Sequence, residues 1–207
     1  MILLAALLLG LLAGWGLARG HGRAYRPPEP RHLWLIAAAF LPQLLVAYLP
    51  ATRELVPASM AALALPVSFA VFLVFTWLNR RISGMPILMT GLLLNLLVIT
   101  ANGGWMPISP ETASQLPGGS PPESAVPGTR IGQKDSLVRP EDTRLQPLSD
   151  QFLLPAWLGY RAAFSLGDVF VAAGAFWLLA SPSGHANTDR SENADIQFTG
   201  NTSPPDD

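Results

Sequence analysis

Residues 58–78 read ASMAALALPVSFAVFLVFTWL and contain no Asp, Glu, Lys, Arg or His. A bilayer core about 30 Å thick is crossed by roughly 17–25 apolar helical residues, so this stretch is long enough to span alone. In hydrocarbon a backbone must satisfy its own hydrogen bonds, which dictates an α-helix. Four further runs meet or approach that length: residues 1–18, 33–49, 86–101 and 164–180. None of the five contains Lys, Arg or Glu, and only the last contains an Asp, Asp168. The expected fold class is an all-α membrane protein with five transmembrane helices. Residues 1–180 form one helical membrane domain in this reading.

Composition points the same way. Half the residues are hydrophobic and 13% are charged, against about 25% charged in soluble domains. A net charge of −1 offers no basic field to nucleic acid, so the lipid bilayer is the expected partner. The absence of cysteine excludes disulfides, thiolate metal sites and thiol nucleophiles. His21 and His32 share one short loop and His185 lies in the tail, so no metal cluster is expected. No cofactor motif is present. Lys134 is the only lysine against twelve arginines, a bias read as compositional.

The first run differs from a cleaved signal peptide. No basic residue precedes it, no A-x-A site follows it, and its positive charges (Arg19, Arg23, Arg26 and Arg31) come after it. A retained helix is expected. Lys and Arg in short loops set orientation. The 19–32 loop holds those four arginines and the 79–83 loop holds Arg80 and Arg81, whereas the 50–57 loop holds only Arg53 beside Glu54. The expected topology in the cell membrane is therefore N-terminus outside and C-terminus cytoplasmic. The long 102–163 segment is then external, and its first 28 residues hold no basic residue. Within it, 107–147 contain eight prolines and no apolar periodicity, the composition of a flexible loop. Residues 148–160, with Trp157 and Tyr160, read as an interfacial segment. The 181–207 tail, with one Arg and five carboxylates, reads as disordered.

Several polar or small residues interrupt the apolar runs. Gly10 and Gly14, flanked by Ala6 and Ala18, form a smooth stripe for close helix approach. It serves packing within the chain or, alternatively, a homodimer or a membrane protein partner. Pro42 and Pro66 each remove a backbone donor, with Gln43 and Ser68 adjacent to bond freed carbonyls. Gly91, Asn95, Val98 and Asn102 share one face of the fourth helix. An amide at Asn95 needs an interhelical partner. Asn102-Gly103-Gly104 stops that helix, either glycine being able to take positive φ. Ser165-Leu166-Gly167-Asp168 reads as a capping box opening the last helix.

These motifs carry a resemblance. Asn-Gly-Gly-x-Met-Pro-x-Ser after an apolar helix (Asn102, Gly103, Gly104, Met106, Pro107, Ser109) is followed by Leu148-x-Asp150. Ser165-Leu166-Gly167-Asp168 then opens a final helix. The combination resembles a family of small bacterial integral membrane proteins of unknown function. With the glycine-rich first helix, the resemblance spans the chain up to Ala180. It implies fold and membrane location but no activity. Family members often carry a His in the external loop; this chain has none there, which argues against a metal in that loop.

The candidate site is an outer-edge polar cluster of Asn95, Asn102, Gly103, Gly104, Asp150, Ser165 and Asp168. The Gly103–Gly104 amides are expected to approach Asp150 or Asp168. Without a nucleophile–base pair, metal cluster or phosphate loop, the favoured function is a non-enzymatic accessory or structural membrane component. The alternative is a small transporter or membrane-embedded enzyme using that cluster for acid–base work or cation binding.

Overall fold

The computed structural model of the chain describes residues 2–48, 56–119, 122, 126–131 and 134–181. Expectations for 49–55, for 182–207 and for parts of 107–147 fall outside the described residues. Within them, helices occupy the five apolar runs: α1 Ile2–Gly20, α2 Trp34–Gln43, α3 Ala58–Leu78, α4 Met85–Ala101 and α6 Leu166–Ala180. A short α5, Pro110–Ser114, lies between the last two. By length and composition, Ile2–Gly20 and Ser59–Leu78 can cross a membrane; the other three long helices are apolar but shorter. α2 continues as a π-helical turn, Leu44–Tyr48. Pro42 gives the ladder no N–H, and the helix resumes beyond it with wider spacing.

The helices stand side by side in the order α1, α6, α4, α3, α2. The last helix is therefore inserted between the first and the fourth. Side chains at Gly10 and Gly14 would collide with the backbone at Phe176 and at Leu179, so α1 and α6 pack closely and run parallel. A homodimer through Gly10 and Gly14 would have to displace α6. The α4–α6 crossing is similarly close. Gly84 meets the Gly174 and Leu178 backbone, and Gly91 meets Gly167 and Val171, so these helices run antiparallel with a glycine facing a glycine at both points.

α3 meets the end of α4 through a freed carbonyl. Pro66 cannot donate to Ala62 O, and that carbonyl points at Gly104, where any side chain would collide with it. Ser68 Oγ instead donates to Ala64 O at 2.8 Å, bonding a carbonyl other than the one freed by Pro66. The 21–33 loop crosses the opposite end of the row. Tyr25 Oη donates to Leu179 O at 2.7 Å. Arg31 N donates to Asn79 Oδ1 at 2.7 Å, and Asn79 Nδ2 returns a bond to Arg31 O at 3.0 Å.

The structure corrects two expectations about 107–147. The protein is mostly helical rather than all-α, and the described part of this segment is folded rather than a flexible loop. β1 Met106–Ile108 pairs in parallel with β3 Asp135–Leu137, which pairs antiparallel with β2 Arg130–Ile131. Ile108, Ala113 and Leu137 form a small core beneath them. Met106 joins Leu65, Val98 and Ile99, which seats the sheet on the helices. Strands of two or three residues leave no readable alternation. Of the prolines taken as disorder, Pro110 and Pro140 start short helices, where a missing N–H costs little. The 148–160 segment carries β4 Phe152–Leu153, which pairs with β5 Ala163–Phe164, and leaves Trp157 82% exposed. Together the described residues of 105–164 form a cap over one end of the row.

Candidate polar site

The site begins with the turn that opens α6. Ser165 is extended, with φ −104° and ψ 170°, and its Oγ accepts from Asp168 N at 3.1 Å. Asp168 Oδ2 accepts from Ser165 N at 3.2 Å, completing the capping box read from the sequence. The same two side chains satisfy Asn95. Ser165 Oγ donates to Asn95 Oδ1 at 2.9 Å, and Asn95 Nδ2 donates to Asp168 Oδ1 at 2.9 Å. Asn95 is 2% exposed, and an amide buried there without partners would be costly. Gly167 makes room for it, since a side chain at that position would strike Asn95 Oδ1.

The cap supplies the other half. Asp150 is fully buried and is held as an extra bridge on β1: it pairs with Ile108, and its N donates to Pro107 O at 3.1 Å. Lys134, the residue just before β3, donates from Nζ to Asp150 Oδ2 at 2.6 Å and lies 3.6 Å from Asp168 Oδ2. One ammonium therefore ties β3, the Asp150 bridge and α6 together. The Lys134 side chain is 41% exposed, yet its ammonium sits among Asp150, Asp168 and Asp135. Burial opposes its charge, but the three carboxylates outweigh burial and hold its pKa above the ordinary lysine value. Burial likewise pushes Asp135 up to about 7, with Lys134 opposing and Asp150 adding to the rise. Asp150 is also raised, by burial first, with Lys134 pulling the other way.

The remaining candidates fall elsewhere. Asn102 closes α4 through Nδ2 to Val98 O at 2.8 Å, and clamps Arg144 by donating to its O at 2.8 Å and accepting from its N at 3.0 Å. It does not bond the carboxylates. Gly103 and Gly104 both take positive φ, 75° and 90°, and Gly104 N returns to Ile99 O at 2.9 Å. Among the described hydrogen bonds neither glycine donates to Asp150 or Asp168; their role is the turn. The structure thus joins Asn95, Asp150, Ser165 and Asp168, and leaves out Asn102, Gly103 and Gly104. It adds Lys134 and Asp135, which sequence reasoning missed. The one available signal was the chain's lone lysine standing beside an aspartate. Among the described residues no three His, Cys, Asp or Glu side chains are placed to hold a metal ion.

Fold and site together define a mostly helical protein, with a row of apolar helices and a small mixed cap ion-paired to one of them. The chain belongs to a family of unknown function, DUF5317, whose model matches residues 29–180. That match starts after α1, so the first helix lies outside it, unlike the wider resemblance read from the sequence. No curated protein and no solved structure matches the chain.

Proposed function

We propose that this chain is an integral membrane protein in which all five long helices cross the bilayer. The N-terminus and the cap lie outside, the C-terminus is cytoplasmic, and the protein acts as a non-enzymatic accessory or structural membrane component. The observation that carries the reading is the apolar surface of the helices. Leu9, Leu12, Phe40, Met60, Leu63 and Trp77 are 55–63% exposed. Contiguous apolar faces on this scale are not left to water by a soluble monomer. Charge and aromatic placement support the same frame. At the end away from the cap, Arg19 lies over Trp15 at 4.9 Å and Arg80 over Trp77 at 4.5 Å, a pairing suited to a cytoplasmic interface. At the other end Trp157 and Tyr160 project from the cap. The 15 residues of α6 rise only about 22 Å, and local thinning of the bilayer accommodates that mismatch.

The polar site favours a structural role over transport or catalysis. Its amide and hydroxyl are satisfied within the chain, and Asp150 cannot meet a solute while the cap is closed. The test is purification of the native protein in mild detergent after alkaline carbonate washing of membranes. Retention in the pellet and a stoichiometric partner support the proposal. Release by carbonate refutes the membrane reading. A lone monomer carrying a bound solute or lipid favours the small transporter or membrane-embedded enzyme.

A further inference from the structure

Two buried atoms of the cap have no partner. Oδ1 of Asp135 and Oδ1 of Asp150 lack a hydrogen-bond donor among the described residues. The register explains how they come together. Asp135 pairs with Met106 and Asp150 with Ile108, so the two residues flank β1 and project over the same face of the sheet. Their carboxyls are within hydrogen-bonding reach of one another. Two carboxylate oxygens can only accept, so with both acids ionised neither orphan is satisfied and two like charges face each other. One proton between them satisfies both oxygens and removes one charge.

We propose that Asp135 and Asp150 form a proton-binding site, sharing one proton between their Oδ1 atoms, and that this proton holds the cap closed on the helices. Asp135 carries the proton, because Lys134 keeps the other oxygen of Asp150 charged at 2.6 Å. Among the described residues the charged groups facing the pair are Lys134 beside it and Asp168 on α6; on β2, Arg130 pairs with Ser136 and is stacked over Trp105 at 3.9 Å, and β1 carries no charged residue. Asp168 disfavours a second negative charge nearby, so it reinforces protonation. The folded cap keeps a proton to about pH 7, whereas free aspartates release theirs near pH 4. The cap is therefore held most firmly on the acid side and loosens as pH rises from about 4 to about 7. The site would register external pH under the proposed topology, but the proton site itself lies in the cap and does not depend on the membrane reading.

The test is infrared spectroscopy of the full chain in detergent from pH 5 to pH 9. Ordinary carboxyls are ionised by about pH 6. A carboxylic-acid C=O band persisting at pH 6 and titrating near 7 is expected in the wild type. It should vanish in both Asp135→Asn and Asp150→Asn, because each amide supplies the donor that the proton supplied. Absence of the band at pH 6, a midpoint below about 5.5, or survival of the band in either variant overturns the proposal. If the variants do not fold, the wild-type band and its midpoint decide. Hydrogen exchange gives a second readout. Beyond the intrinsic rate, protection at Met106, Val138 and Asp150 should fall about tenfold per pH unit across the window. A flat profile in the wild type counts against the site. Failure here with membrane retention intact would remove the proton site and leave the proposed function standing.

Discussion

Replacing Lys134 by Met is the most direct test of how the cap is attached. The substitution keeps much of the side-chain length and removes the charge that compensates Asp150. Breaking a buried ion pair by deleting one partner costs about 3–5 kcal/mol. That range applies when both charges are buried; here Asp150 is fully buried but Lys134 is 41% exposed. Solvent screening of the lysine lowers the expectation to about 2 kcal/mol. If the loss falls on local opening of the cap, amide protection drops about 30-fold. The amides to follow are Met106, bonded to Lys134 O, Val138, bonded to Ile108 O, and Asp150, bonded to Pro107 O. Exchange at helix amides remote from the cap should change little. The loss should be larger at pH 8 than at pH 5, because protonating Asp150 relieves the stranded charge. Adding Asp150→Asn to Lys134→Met should restore most of the protection, giving a clear coupling in the double-mutant cycle. A drop below about threefold in Lys134→Met, or additive effects in the double variant, would refute the reasoning that this pair latches the cap.

Three further outcomes follow from the geometry. Gly104→Ala should destabilise the protein by about 2–3 kcal/mol, since the new methyl meets the Ala62 carbonyl. Gly103→Ala, where nothing lies within 4 Å, should cost only about 1 kcal/mol of left-handed strain; thermal unfolding of the two variants side by side checks the order, and equal losses would contradict it. Ser165→Ala removes both the α6 cap and the donor to Asn95, so it should exceed the roughly 1 kcal/mol of a lost cap. Pairing it with Asn95→Leu should recover part of that excess, and a purely additive result would show that Asn95 and Ser165 act apart. For orientation, a reporter active only in the cytoplasm should work when fused after Asp207 and be silent when inserted near Gly118; the reverse pattern would overturn the proposed topology.

What the chain determines locally was legible without coordinates. Apolar runs place the five long helices because helix bonds close within one turn and long uncharged runs resist any break. The α6 capping box was readable for the same reason: Ser165 and Asp168 are three residues apart and need nothing from elsewhere. The Gly103–Gly104 stop was equally local. The partner of each polar side chain was decided only by tertiary structure. Asn95 and Asn102 lie on one face of α4, yet the first turns to α6 and the second to Arg144, because α6 packs along the glycines of α4 and ends short of Asn102. The insertion of α6 between α1 and α4 leaves no mark in local hydropathy, which reports burial in lipid or protein alike. The cap was hidden for a related reason. β1 and β3 are three residues each and find each other across a long intervening stretch, so no periodicity announces them. Lys134 and Asp135 gain their roles only when that pairing brings them to Asp150.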